Sequence, residues 1–102
     1  MAASPIDIVL PIPADHAAFA GHFPGQPIVP AVVLLDETLH AIERQETQLR
    51  GSWRIDSAKF HSTVGPGEAV MLNYQKTANA AFRFTLHVQQ RLVATGILSI
   101  SA

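Results

Sequence analysis

Residues 21–30 read Gly-His-Phe-Pro-Gly-Gln-Pro-Ile-Val-Pro, with Pro24, Pro27 and Pro30 at every third position. Each proline fixes φ and removes a backbone donor, so the run is excluded from a helix interior and makes a poor strand. It must form an ordered, extended loop. Phe23, Ile28 and Val29 make that loop too apolar to lie loosely on a surface. A packed loop is therefore predicted, and packed irregular loops often carry function.

The flanking sequence has regular periods. Residues 5–10 read as a short strand ended by Pro11 and Pro13. Residues 30–46 read as a helix, with Pro30 suited to its first position and Val29 at the cap. At about 100° per residue, Val32, Leu35, Leu39 and Ile42 share one face, while Glu37, Ala41 and Arg44 point away. Gly51 is a stop signal. Residues 52–62 form a strand whose apolar parity changes between Ile55 and Ala58, which predicts a bulge near Ser57. Gly65-Pro66-Gly67-Glu68 is a turn. In 69–77, Val70, Leu72 and Tyr74 share a side. In 80–89, Phe82, Phe84, Leu86 and Val88 face inward, and Arg83, Thr85, His87 and Gln89 outward. Residues 91–100 are apolar on both faces, as a central strand would be. The expected class is α+β: an antiparallel sheet with one long helix against its concave face, in a single domain over residues 1–102.

Composition excludes several functions. Seven Lys+Arg against eight Asp+Glu give a net charge of -1, so there is no basic footprint for nucleic acid or an anionic membrane. With no cysteine, disulfides, thiolate nucleophiles and Cys-zinc sites are absent. The longest apolar run, 31–35, is far short of the roughly 20 residues of a membrane span. The start lacks a basic region followed by an apolar one, so no signal peptide is expected and the setting is read as cytoplasmic. Charged residues make up only 15%, sparse cover for a monomer's surface, and a homo-oligomer is expected.

Five histidines are candidates for chemistry: His16, His22, His40, His61 and His87. His22 stands out because it lies in the proline-pinned loop just before the helix. His61 and His87 read as ordinary strand residues, and His16 and His40 stay undecided. No zinc-binding spacing, carboxylate-completed ligand set, phosphate-cradling glycine loop or nucleophile elbow is present, so no metal site is expected. Asp36 falls about 40° from Val32 on the helical wheel, at the edge of the apolar stripe. Such a carboxylate needs a partner or a purpose. It either pairs with His40 one turn on and favours the helix dipole, or it acts as an acid. Valine cannot cap a helix, so the free N–H groups from Ala31 onward need another acceptor. Water or a neighbouring carbonyl would serve, and so would a substrate oxygen becoming an enolate.

Residues 22–36, His-Phe-Pro-Gly-Gln-Pro-Ile-Val-Pro-Ala-Val-Val-Leu-Leu-Asp, resemble the signature of the β-hydroxyacyl-acyl-carrier-protein dehydratases of the FabA/FabZ type. That signature is His-Phe-x-Gly-x-Pro-x-x-Pro-Gly with an acid fourteen positions after the histidine, here Asp36. Ile55-Asp56-Ser57-Ala58-Lys59-Phe60 and Val64-x-Pro66-Gly67-Glu68 resemble the family's next strand and turn. The similarity covers about residues 19–100. The resemblance implies the hot-dog fold, a long central helix wrapped by a curved antiparallel sheet. It also implies a homodimer whose two sites each draw the histidine and the acid from different subunits.

By position, His22 is the implied base, Asp36 the implied acid and Ala31 the oxyanion amide. Phe23 and Gly25 join Ala31 as substrate-binding residues, with Phe23 lining an acyl tunnel. The implied reaction removes water from a 3-hydroxyacyl thioester to give the trans-2-enoyl thioester. No metal or organic cofactor is implied. The partner is an acyl-carrier protein, although Arg44, Arg50, Arg54, Lys59, Lys76, Arg83 and Arg91 form no run that marks its docking patch.

The chain departs from the family at three points. Ala31 stands where a glycine is usual, and its Cβ bears on substrate size or rate. The acid is Asp, as in the FabA type, rather than the Glu of the FabZ type. Only 21 residues precede His22, so the chain is similar to the compact dehydratases associated with aryl polyene and related pathways. Two other functions remain open on the same residues, a hot-dog acyl thioesterase and a non-catalytic acyl-binding protein, because fold alone does not fix chemistry.

Overall fold

In 81–88 every second residue is large and apolar, and that strand is the best buried. The computed structural model describes residues 6–12, 28–47, 51–65, 67–78 and 80–101. In chain order the elements are β1 (Ile6–Val9), α1 (Ala31–Gln45), β2 (Ser52–Phe60), β3 (Met71–Ala78), β4 (Ala81–Val88) and β5 (Arg91–Ser101). The five strands make one antiparallel sheet in the order β1-β3-β4-β5-β2. One face of the sheet carries α1.

The alternation seen in the sequence sets this face. Phe82, Phe84 and Leu86 of β4 are fully buried, and Val70, Leu72 and Tyr74 beside and within β3 are nearly so. Each such side chain contributes about 1.5–3 kcal/mol by leaving water. Tyr74 also donates its hydroxyl to Glu46 Oε2 at 3.0 Å, tying β3 to the end of α1. Burial and that carboxylate push the phenol well above its ordinary value, so it stays neutral.

Two bulges account for the irregular parity. The β2–β5 register shifts between Ile55 and Ser57, where the parity change predicted it. In β5, Leu86 pairs with Ala94 but His87 pairs with Leu92, which leaves Val93 as the extra residue. Val93 and Ala94 are both fully buried in consequence. The apolar character of both faces of 91–100 therefore reflects a bulge as well as a central place between β4 and β2.

The helix corrects three expectations. Its buried residues are Leu34, Thr38, Ala41 and Ile42. Val32, assigned to the buried stripe, is 70% exposed, and Ala41, assigned to the far side, is buried. The cause is the spread of apolar residues around α1, from Val32 to Leu35 and on to Leu39, Ala41 and Ile42, which leaves the wheel without a single answer. The sheet selects the side with small residues, which allow close approach. Thr38 tolerates full burial because its hydroxyl donates to the Leu34 carbonyl at 2.8 Å. Finally, α1 ends at Gln45 with Glu46 as its C-cap. Gly51, φ 139°, marks the entry to β2 and does not stop the helix.

No helix among the described residues is long and apolar enough to cross a membrane.

Candidate active site

The first turn of α1 is the chemically distinctive part of the described chain. Pro30 is the N-cap, with φ −61° and ψ 147°, and makes no side-chain capping bond. This corrects the expectation that Pro30 is the first helical residue and Val29 the cap: proline's φ suits both positions, and the extended ψ places it outside. The Pro30 carbonyl accepts from Val33 N–H at 3.0 Å and Leu34 N–H at 3.3 Å. Ala31 and Val32 N–H have no acceptor among the described residues, as expected of a helix start. They are donors at the positive end of the helix dipole.

Asp36 lies just over a turn along the helix from Ala31. It is not at the edge of a buried stripe. Its side chain is 62% exposed, on the same side of α1 as Val32 and His40. His40 Nδ1 lies 3.7 Å from Asp36 Oδ2, the one-turn pairing the spacing allowed. The ligand atoms of Asp36, Glu37 and His40 all fall within 4.8 Å of one another, whereas the sequence reading found no three-ligand set. Helical winding makes this cluster from three near neighbours on an open turn, and it carries no metal assignment.

His22, Phe23 and Gly25 lie outside the described residues, as does His16. Among the remaining site residues, Ala31 and Asp36 share α1. Cavities of about 440, 420 and 400 Å³ are lined by other segments. Among the described residues, then, Asp36 lies on an open face.

Sequence reasoning missed one constellation beside the site. Glu68, read only as a turn residue, accepts from Gly65 N–H through Oε1 at 2.7 Å. Arg91 Nη2 donates to both Glu68 oxygens, at 2.9 and 3.0 Å, and to the Thr63 carbonyl at 3.2 Å. The turn signal could suggest the first contact, since the glutamate follows Gly65 by three residues. Nothing local indicates an arginine 23 positions on.

The Gly65 N–H and then the Arg91 guanidinium hold the Glu68 carboxyl below its ordinary 4.5, against an opposing desolvation. A folded-state pKa that is depressed stabilises the fold above the unfolded value and loses that effect as pH falls through the folded one. The stability advantage of wild type over Glu68→Gln is thus expected to be full at pH 7 and to shrink below about pH 4.5. Thermal melts of both proteins between pH 7 and 3 check this, and a constant difference would contradict it.

Comparisons with known proteins bear on the chemistry. Residues 2–97 match the family model described as ApeI-like, ApeI dehydratase. The chain is 32% identical over 98 residues to the 3-hydroxyacyl-acyl-carrier-protein dehydratase FabZ of Pseudothermotoga lettingae, covering 87% of this chain and 70% of that one. It spans only 40% and 56% of two further FabZ relatives. Among solved structures it resembles the dehydratase heterocomplex ApeI:P from Xenorhabdus doucetiae, with a TM-score of 0.75 and 22% identity over 100% of this chain and 97% of that one. It also resembles the fluoroacetyl-CoA thioesterase FlK, with a TM-score of 0.70 and 11% identity over 99% of this chain and 89% of that one. At these identities the two structures establish the fold alone, and the fold is the hot-dog fold.

Proposed function

The chain belongs to the ApeI-like dehydratase family, a family of hydro-lyases, and we propose that it removes water from a 3-hydroxyacyl thioester held on an acyl-carrier protein. His22 takes the C2 proton, and the C–H electron pair becomes the new double bond. Asp36 protonates the C3 hydroxyl as its bond to carbon breaks. Water leaves, and the trans-2-enoyl thioester remains. Proton transfer through solvent from His22 to Asp36 resets both groups. The thioester oxygen, enolate-like in the transition state, accepts from the amides at the start of α1. The observation that carries this reading is that helix start: Ala31 and Val32 N–H lack acceptors, no side chain caps them, and Asp36 follows on the same helix. Donors aimed at developing charge are often the largest single contribution to such catalysis.

The proposed scheme uses no metal or organic cofactor, because the prosthetic arm comes with the substrate. The proposed unit is a single cytoplasmic domain over residues 1–102 that works as a homodimer. Support for the dimer comes from what the protomer leaves uncovered. Val32 is 70% exposed on the Asp36 side of α1, and the edge strand β2 exposes Ile55 at 45% and Phe60 at 38%. A second copy on these surfaces would wall in Asp36, as a substrate site requires. Val32→Arg is expected to turn a dimer into a monomer in sedimentation, because an arginine buried there lacks a partner. A wild-type monomer at micromolar concentration would refute the dimer.

The deciding experiment is hydration of a short trans-2-enoyl thioester by purified protein, followed as loss of enoyl absorbance with a parallel assay for free thiol. Hydration without thiol release is expected. Thiol release without hydration would replace the dehydratase by a thioesterase. Neither reaction, on short, long or aromatic acyl groups, would leave an acyl-binding protein.

A further inference from the structure

We propose that Glu68, paired with Arg91, is a positioning residue that sets the start of α1 through the Val64 carbonyl. Its catalytic consequence rests on the dehydratase reading; its structural part does not.

The helix start has no capping side chain, and proline at the cap has no N–H to anchor. What ties it to the rest of the described chain is one bond: Val29 N–H donates to the Val64 carbonyl at 2.7 Å, and both side chains are buried. The aim of the Ala31 amide, two residues on, therefore follows the position of Val64.

Val64 sits in the irregular stretch between β2 and β3, where no ladder fixes the backbone. The residues on either side of it are held instead by a single ion pair. Arg91 Nη2 donates to the Thr63 carbonyl at 3.2 Å, and Glu68 Oε1 accepts from Gly65 N–H at 2.7 Å. A backbone bond from Glu68 N–H to the Gly65 carbonyl, 3.3 Å, closes the turn.

A surface ion pair alone contributes little to stability. This one has another task, because the segment it holds is poorly packed. Gly67, Glu68 and Ala69 line both the 440 Å³ cavity toward the β4–β5 turn and the 420 Å³ cavity toward 9–12. A backbone wall with space on two sides moves once its polar ties are cut. Oxyanion donors act mainly in the transition state, so misaiming them lowers kcat more than it raises KM.

The test combines amide hydrogen exchange at Val29 with hydration kinetics on a short trans-2-enoyl thioester. In Glu68→Ala, Val29 exchange is expected to speed up about 10-fold and kcat to fall about 10-fold, with KM within about 2-fold. Glu68→Gln keeps an acceptor for Gly65 N–H and should recover most of both, leaving losses of about 3-fold. If Glu68→Ala fails to fold, Glu68→Gln is read by the same two measurements. Wild-type exchange and kcat in a folded variant, or a change in KM alone, would overturn the proposal. A wild-type protein without turnover would remove the dehydratase reading, and Val29 exchange would then support or overturn the positioning by itself.

Discussion

Asp36→Asn is expected to lower kcat for enoyl thioester hydration about 10²–10⁴-fold, the range of a general acid, while leaving the fold intact. The two effects separate because the Asp36 side chain is 62% exposed. Its removal empties no core, and substitutions at such positions usually shift stability by about 0.5 kcal/mol or less. His22→Ala should lose activity to a similar extent if His22 is the base. The competing account is that Asp36 serves only its helical pair with His40 at 3.7 Å. Pairs of this kind contribute about 0.3–0.5 kcal/mol. On that account Asp36→Asn and His40→Ala would each cost a little stability and no turnover. Asn is the informative replacement because it keeps size and hydrogen bonding and removes only the titratable proton. Turnover within about 3-fold of wild type in folded Asp36→Asn would take the acid role away from this residue.

Gly96→Val is expected to cost about 2–4 kcal/mol and to lower the melting temperature by some 10–20 °C, although the residue lies away from the helix start. Gly96 pairs with Phe84 on one side and Ala58 on the other, beside the β2 bulge. A Cβ built there falls 2.5 Å from the Ser57 carbonyl oxygen and against the Phe84 ring, with ring atom Cζ at 2.6 Å. Neither can yield: one is ladder backbone and the other a fully buried ring. The strand interior therefore uses a glycine at this crossing in spite of its entropic cost. Gly65→Ala is the control. Its Cβ meets only Glu68 Oε1, at an ordinary 3.6 Å, and a change within about 1 kcal/mol is expected. Denaturant midpoints at unchanged slope measure both variants. Equal midpoints for Gly96→Val and wild type would show that the sheet relaxes around the bulge.

Periodicity alone was enough for the hairpin strands. The alternation in 81–88 has one buried solution, and β3 and β4 have the faces it predicts. The parity break at Ile55 and Ala58 likewise forces an extra residue wherever the strand is paired. The motif of residues 22–36 specified the family, and the match over residues 2–97 agrees. These features are local: neighbouring positions are enough to state them.

Only the tertiary structure decided which side of α1 is buried. Val32, Leu35 and Leu39 are as apolar as Leu34 and Ile42, so hydrophobicity could not separate two adjacent faces. Close packing on the sheet chose the one with Thr38 and Ala41 and left Val32 and Asp36 together outside. The place of β2 beside β5, the crowding at Gly96 and the Glu68–Arg91 pair belong to the same class. Each depends on residues far apart in sequence. Hydrophobic period reports that a residue is to be buried, and the shape of the opposing surface determines against what.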